Sequence, residues 1–326
     1  MKKYVINCII LAMIIVGSVV YGIVIHKYKV FPYIIFKKAN YYFSHIKQSY
    51  DPWSIGIYEG STPFDLIAPE DVSNPVLTGR DVIDINAKFV LDPFMMLNDN
   101  KYYMFFQAVN RKTNQGDIAY AESQDGKHWK YQKVILDEKF HLSYPYIFSW
   151  EDNYYLIPES HQDLSVRLYK AVSFPDKWTY VGNLLTGYHY IDPSIFRYNN
   201  KWWLFVNTDF DNLNLYYSNN LLGEWKPHPM NPVVKFNKNI AKSAGRVITD
   251  NGQLYRMAMD DEPDDSIQVF AFLIYELTEE SYSEKIASQK PIVKLTEKGW
   301  NAASMHHVDL HKIGDVWIAA VDGRNR

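Results

Sequence analysis

Cysteine is almost absent from this 326-residue sequence, which contains a single one, Cys8. It lies in an N-terminal hydrophobic run, so the rest of the chain has no thiol for a disulfide, a thiolate metal site or a cysteine nucleophile. Dense runs of Lys and Arg are also missing, and the formal net charge is −3. The chain therefore lacks the electrostatic footprint of a nucleic-acid-binding protein, and we expect no nucleic-acid partner.

One long hydrophobic run is present, because residues 4–25 carry no charged side chain. At a rise of 1.5 Å per residue this run reaches about 33 Å, enough to cross a hydrocarbon core of about 30 Å. A cleaved signal peptide is the alternative, but its apolar region would span about 7–15 residues and end at a small-x-small site. We therefore predict a short tail at 1–3, a single-pass transmembrane anchor at 4–25 and a juxtamembrane stalk at 26–50. Lysines flank both ends of the anchor, so charge alone does not orient it.

Aromatic residues are abundant, at 16% of the chain, and they favour strands. A repeat organises them: four similar segments start at Asp92, Tyr144, Asp192 and, more weakly, Ala244, with spacings of 52, 48 and 52 residues. A tight-turn signal and an aromatic strand follow each start, as in Asn100-Lys101-Tyr102-Tyr103. About four strands per period of about 50 residues, without amphipathic helices between them, predict an all-β fold built of propeller blades.

A fifth copy of the repeat begins at His307, but the chain ends before the outer strands of that blade. The segment Trp53–Tyr58 precedes the first blade and has outer-strand character. We therefore predict that N-terminal strands complete the last blade and close the ring, which removes exposed strand edges. The sequence thus predicts a five-bladed β-propeller over 51–326, preceded by one N-terminal transmembrane helix.

Equivalent positions of all blades face one another around the axis of a propeller. The blade starts and their neighbours should therefore share one central pocket. The catalytic candidates in this pocket are Asp92, Glu159 and Asp192. The substrate-binding candidates are Tyr144, Arg246, His306, His307 and Asp309.

Paired carboxyl groups suit the cleavage or transfer of a glycosidic bond, which needs one protonated acid and one ionised base or nucleophile about 5–9.5 Å apart. An alternative is that each Asp-Pro marks a turn capped by its own carboxylate. Arg246 also has two interpretations, a clamp for a phosphate or carboxylate or a buried counter-ion for Asp92 and Asp192. Adjacent His306 and His307 would point to opposite faces of a strand, so we predict no metal site and no cofactor.

The Asp-Pro starts of blades one and three resemble those of the five-bladed glycoside hydrolases of family 43. In that family, the general base and a pKa-tuning aspartate occupy such positions. The resemblance implies Asp92 as the base and Asp192 as the tuning residue. The family's general acid, a Glu that opens blade four, has no counterpart, because this chain reads Ser243-Ala244-Gly245-Arg246 there. Glu159 is then the candidate acid.

A second set of motifs extends over most of the chain. These motifs are Trp53-Ser54-Ile55-Gly56-Ile57-Tyr58, Tyr144-Pro145, Ile157-Pro158-Glu159-Ser160, Ile191-Asp192-Pro193-Ser194, Gly245-Arg246 and His306-His307-Val308-Asp309. In them the chain is similar to the N-terminal domain of plant glucosamine inositolphosphorylceramide transferases and its stand-alone bacterial relatives. In the plant proteins, sugar transfer is attributed to a separate C-terminal domain. The resemblance therefore implies a fold and a carbohydrate context.

These patterns lead to one hypothesis and two alternatives. The hypothesis is a membrane-anchored, carbohydrate-active propeller that cleaves or transfers a glycosidic bond of a glycan or glycolipid. The first alternative is a module that binds a glycan or glycolipid without catalysis, so the sequence leaves open whether the protein is an enzyme. The second is a scaffold whose propeller face binds protein partners. We expect the propeller on the extracytoplasmic side, where the glycans handled by such domains are mostly found.

Overall fold

The described part of the chain consists almost entirely of strands. The computed structural model describes Tyr21 and residues 53–209, 211–262 and 267–325. The predicted anchor and stalk lie outside these residues, apart from Tyr21. Among the described residues, no helix combines the length and apolar character that crossing a bilayer requires.

Five antiparallel sheets follow one another along the chain, and each is one blade. Blade one contains β2 (Ala87–Asn98), β3 (Lys101–Asn110), β4 (Gly116–Ser123) and β5 (Lys130–Leu136). Blade two contains β6 (Ser143–Trp150), β7 (Asn153–Ser160), β8 (Ser165–Ser173) and β9 (Lys177–Thr186), with a 3-10 turn (His161–Asp163) after β7. Blade three contains β10 (Ile191–Tyr198), β11 (Lys201–Asp209), β12 (Asn212–Ser218) and β13 (Lys226–Pro227). Blade four contains β14 (Ile248–Asp250), β15 (Gln253–Asp260), β16 (Gln268–Leu277), β17 (Tyr282–Ile286) and β18 (Val293–Lys294).

Blade five joins the two ends of the propeller. It contains β19 (Val308–Ile313), β20 (Val316–Arg324) and β1 (Trp53–Gly60). Strand β1 runs antiparallel to β20 along its whole length, from Trp53 opposite Arg324 to Gly60 opposite Trp317. The chain after β1 then forms bridges to its outer edge through Ile67 and Leu77. The all-β, five-bladed propeller and its closure by an N-terminal strand are therefore confirmed.

The inner hairpins of blades one to four turn where the sequence predicts tight turns. In blade one, Asp99 and Asn100 both have positive φ, 49° and 58°. The same pattern recurs at Asn199 and Asn200 in blade three, with φ of 50° and 59°. Two central residues with positive φ define the type I′ turn, whose twist matches that of the flanking strands, and Asn and Asp tolerate this conformation. The local sequence thus sets the register of each hairpin.

The hydrophobic core lies between neighbouring blades. Trp202 of blade three packs edge-on against Phe148 and Trp150 of blade two, with ring centroids 5.7 and 5.2 Å apart. Its neighbour Trp203 points to the other side of the sheet and contributes to the apolar cluster between blades three and four. Both indoles are almost fully buried. Alternating side chains on one strand therefore fill two interfaces, which fixes each blade against the next.

Candidate functional site

Three blade starts share an unusual backbone conformation. Asp92, Tyr144 and Asp192 have φ of 54°, 45° and 49°, and each lies within a β-bulge of its inner strand. Non-glycine residues seldom occupy this left-handed region, and bulges often re-aim side chains beside functional sites. The repeated Asp-Pro and Tyr-Pro starts thus turn the chain so that its side chains converge.

Carboxylates from other strands hold these strained starts in place. The Asp92 N–H donates to Asp322 Oδ2 of blade five at 2.9 Å, and the Asp192 N–H donates to Glu159 Oε2 of blade two at 3.0 Å. The Tyr144 N–H donates to Asp92 Oδ2 at 3.3 Å. We call Asp92, Glu159, Asp192 and Asp322 the acid cluster. Ring closure and the bulges together bring these four acids from four blades to one place.

The environment of the acid cluster keeps Asp92 and Asp192 from ionising easily. Asp92 is 9% exposed, and burial raises its pKa to about 7, with the charges of Asp322 and Glu159 adding to the shift and His306 opposing it. Burial also raises the pKa of Asp192 well above its ordinary range. Lys242 opposes that shift, because its Nζ lies 4.0 Å from Asp192 Oδ2. Near neutral pH, both aspartates can therefore hold a proton.

Glu159 is bonded on both of its oxygens and behaves differently. Its Oε1 lies 2.7 Å from His161 Nδ1, while Oε2 accepts the Asp192 N–H. Burial alone would raise the pKa of Glu159, but the hydrogen bond and charge of His161 lower it below its ordinary value. The same bond raises the pKa of His161. These contacts favour an ionised Glu159, the reverse of the proton donor predicted from the sequence.

Asp322 and His306 form an ion pair beside Asp92. His306 Nδ1 lies 2.8 Å from Asp322 Oδ1, and its ring stacks on Trp53 with centroids 4.3 Å apart. Possible ligand atoms of Asp92, His306 and Asp322 all lie within 4.8 Å of one another, so these residues could hold a cation. The ion pair already balances the charges of His306 and Asp322. We therefore assign no cation to this group.

Arg246 and Asp309 lie apart from the acid cluster, in a buried ion pair. Arg246 Nε donates to Asp309 Oδ1 at 2.8 Å, and its Nη1 donates to the carbonyl oxygen of Ile147 at 3.2 Å. Asp309 also accepts the Met95 N–H at 2.7 Å and pairs with His311 Nε2 at 2.9 Å. Of the two interpretations of Arg246, the geometry is that of a counter-ion, with Asp309 as its partner instead of Asp92 and Asp192.

Tyr144 and His307 belong to the same buried region. The Tyr144 hydroxyl accepts the Gly245 N–H at 2.7 Å and lies 2.9 Å from Ser194 Oγ, so it links blades two, three and four. His307 Nε2 donates to the Pro93 carbonyl oxygen at 3.0 Å, and burial lowers the pKa of His307 to about 4. We call Tyr144, Arg246, His307 and Asp309 the inner set.

The side chains of the eight predicted site residues thus divide into two groups, although the N–H groups of Tyr144 and His307 donate to Asp92 and Asp322. Asp92, Glu159, Asp192 and His306 come together, whereas the inner set holds blades to one another. Three residues beside the acids were missed: Asp322, His161 and Lys242. Asp322 had a signal in the repeat, because it lies at the same offset from His307 as Glu159 does from Tyr144. Glu159 and Asp322 both lie near the end of the second strand of their blade.

Comparison with known proteins finds a family model and relatives that match most of the chain. Residues 47–324 match the family described as glucosamine inositolphosphorylceramide transferase 1, N-terminal. Over 299 residues the chain is 33% identical to glucosamine inositolphosphorylceramide transferase 1 of Oryza sativa subsp. japonica, covering 83% of this chain and 40% of that protein. The namesake from Arabidopsis thaliana is 30% identical over 297 residues, covering 83% and 39%. The chain spans about two fifths of the length of these relatives.

Solved structures share the fold at low sequence identity. The β-1,2-mannobiose phosphorylase of Listeria innocua superposes with a TM-score of 0.59 at 14% identity, covering 82% of this chain and 96% of that one. The catalytic domain of the family 62 α-L-arabinofuranosidase of Coprinopsis cinerea superposes with a TM-score of 0.57 at 13% identity, covering 85% and 98%. At such identities, the likeness is one of fold alone.

Proposed function

The chain belongs to the family of the N-terminal domain of glucosamine inositolphosphorylceramide transferase 1, and from this premise we propose that its propeller binds a glycan or glycolipid at the acid cluster and cleaves or transfers a glycosidic bond there. The observation that carries the proposal is the convergence of Asp92, Glu159, Asp192 and Asp322 from four blades. Paired carboxyl groups held in different protonation states are what this chemistry requires. The family's carbohydrate context supports the substrate class.

Three of the acids have parts in the proposed reaction. Ionised Asp92, whose pKa of about 7 leaves it partly ionised near neutral pH, takes the proton of the water or sugar hydroxyl that attacks the anomeric carbon. Protonated Asp192 gives its proton to the glycosidic oxygen as that bond breaks, so one carboxyl group gains a proton and the other loses one. Glu159 stays ionised and positions Asp192 through its main-chain N–H. Substrate contacts come from Asp92, Asp192 and His306, since Tyr144, Arg246 and Asp309 bond to other groups of the protein and His307 is buried.

Turnover by the full-length protein in detergent tests the proposal. We would incubate it with a panel of oligosaccharides and glycolipids and follow the products by mass spectrometry. Asp92→Asn and Asp192→Asn should each lower turnover at least about 100-fold, the usual scale for an acid–base residue. Asp117→Asn is the matched control, because Asp117 is 2% exposed, has a pKa raised to about 6 by burial, and belongs to β4. Equal turnover by parent and Asp92→Asn would refute the assignment.

Recognition without catalysis is the second candidate function. Glu159 favours it, because both of its oxygens are already bonded within the protein. In that case the parent protein binds a glycan from the panel and leaves it unchanged during prolonged incubation. Asp92→Asn then alters the affinity alone.

We further propose that residues 4–25 anchor the protein in a membrane with the propeller on the extracytoplasmic side. The uncharged run supports the anchor. The extracytoplasmic side is supported by the usual location of the glycans that such domains handle. Cys8, the single cysteine, lies within that run, so a cysteine introduced at Ile83, which is 83% exposed, gives one surface probe. Labelling of Ile83→Cys by a membrane-impermeant maleimide in intact cells is expected. Labelling only after lysis would place the propeller on the cytoplasmic side.

A further inference from the structure

A loop beside the acid cluster presents an exposed aromatic ring. Residues 187–190 connect β9 to β10 and end two residues before Asp192. The Gly187 N–H donates to the Leu164 carbonyl oxygen at 2.8 Å, and His189 Nδ1 donates to the His161 carbonyl oxygen at 3.0 Å. These two bonds fasten the loop to the 3-10 turn of blade two. Tyr188, at the tip of this fastened loop, is 43% exposed.

Three neighbouring imidazole rings, those of His189, His161 and His141, lie between this loop and Glu159 or beside it. The ring centroids of His189 and His161 are 6.2 Å apart, and those of His161 and His141 are 6.0 Å apart. His141 is bonded to blade one, because its Nδ1 accepts the Gly116 N–H at 3.0 Å. His161 and His189 each use Nδ1 for a bond within the protein, to Glu159 Oε1 and to the His161 carbonyl oxygen, so a ligand would bond to Nε2. We call Tyr188, His189 and His161 the histidine rim.

We propose that the histidine rim is a binding subsite for a second sugar unit of the glycan, next to the unit held at the acid cluster. An exposed aromatic ring offers a face on which a sugar ring can stack, and planar imidazoles both donate to and accept from hydroxyl groups. The rim is continuous with the acid cluster, since His161 bonds Glu159 directly. The ligand is therefore an oligosaccharide chain rather than a single sugar. This inference rests on the proposed function.

Chain-length dependence of binding tests the subsite. The full-length protein in detergent is first applied to an array of immobilised oligosaccharides, and the mono- and disaccharide fragments of the strongest ligand are then titrated calorimetrically. Tyr188→Ala and His189→Ala should each weaken disaccharide binding about three- to tenfold, the scale of one stacking or hydrogen-bond contact, and leave monosaccharide binding unchanged. Tyr275→Ala is the control, because Tyr275 is 61% exposed on β16 of blade four and should bind both fragments as the parent does.

The outcomes separate the subsite from the reaction. If Asp92→Asn abolishes turnover while both rim variants bind the disaccharide like the parent, the subsite is wrong and the proposed function stands. Equal losses for mono- and disaccharide would also overturn the subsite, since the rim would then contact the first sugar. If the parent binds no oligosaccharide on the array, both proposals fail together. The two substituted residues, Tyr188 and His189, are exposed, so thermal unfolding should change little even though His189→Ala removes one bond to the loop, and it is measured alongside.

Discussion

The acid cluster and the inner set are both buried groups of ionisable residues, yet the carboxylate of the inner set is neutralised by a cation and the aspartates of the acid cluster are not fully neutralised. In the inner set, Arg246 neutralises Asp309, whose pKa is held well below its ordinary range despite burial. In the acid cluster, burial raises the pKa of Asp92 to about 7 and holds the pKa of Asp192 well above its ordinary range. Nearby acids reinforce both shifts instead of balancing them.

This difference separates charges that hold the fold from charges that remain available for chemistry. A buried ion pair with further hydrogen bonds, like Arg246 with Asp309, is satisfied within the protein and offers little to a ligand. Carboxyl groups that share a site without enough positive charge keep a proton near neutral pH, which is costly for stability and useful for proton transfer. Perturbed aspartates, rather than buried charge in general, therefore mark the site.

Removing Arg246 should give the largest loss of stability. Arg246→Met removes the guanidinium beside Asp309 and leaves His311 as the remaining ionisable partner of this buried carboxylate, so the free energy of unfolding should fall by about 4 kcal/mol. Urea denaturation followed by tryptophan fluorescence measures this. Lys101→Met is the control, since it breaks a partly exposed pair with Glu122 and should cost less than about 1 kcal/mol. Similar losses in both variants would remove the distinction drawn for the inner set.

Adding a methyl group at Gly245 should be nearly as damaging. Gly245 has φ of 140°, and a Cβ built on it would lie 1.9 Å from the Val308 carbonyl oxygen. Because this oxygen belongs to the main chain, it cannot rotate away as a side chain could. Gly245→Ala should therefore lower the free energy of unfolding by about 3 kcal/mol. At Gly252, with φ of 75° and nothing within 4 Å of such a Cβ, Gly252→Ala should cost about 1 kcal/mol. Denaturation midpoints of the two variants that coincide would contradict the close approach of blades four and five.

Asp322 should matter to both groups, with a smaller effect on stability. Its carboxylate accepts the N–H groups of Asp92 and His307, and an amide at this position would turn an NH₂ toward one of them. Asp322→Asn should lower the free energy of unfolding by about 2 kcal/mol. It should also shift the pH optimum of turnover, because Asp92 loses the negative charge that raises its pKa. A loss of stability with an unchanged pH profile would make Asp322 purely structural.

The pH dependence of stability gives the smallest expected effect. Asp92 has a pKa of about 7 in the folded protein, above the ordinary value of about 3.9, so between these values the folded state keeps a proton that the unfolded chain has released. Stability conferred by protonated Asp92 is therefore lost as the pH rises through this window. The unfolding free energy of Asp92→Asn should fall by about 1 kcal/mol less than that of the parent between pH 6 and pH 7. Parallel curves would show that Asp92 titrates normally.

Much of the fold could be predicted because the propeller repeats itself. The hairpin turns, such as the one at Asp99-Asn100, and the recurrence of aromatic strands are local signals. Closure by Trp53–Gly60 followed from a last blade that was short of strands. The candidate site was predicted in part. Asp92, Glu159, Asp192 and His306 came from repeat positions, whereas His161 and Lys242 reach the acids from a turn and a connecting segment outside the repeat pattern.

The sequence by itself determined the number of blades, the strand that closes the ring and the blade starts that face one another, because periodic patterns and turn residues act over short distances. Only the tertiary structure decided which charges are neutralised. Arg246 could have paired with Asp92 or Asp192 on sequence grounds, and it pairs with Asp309 because folding brings their side chains within 2.8 Å. Pairing and burial depend on contacts between distant residues, so the protonation of the acid cluster is a property of the assembled ring.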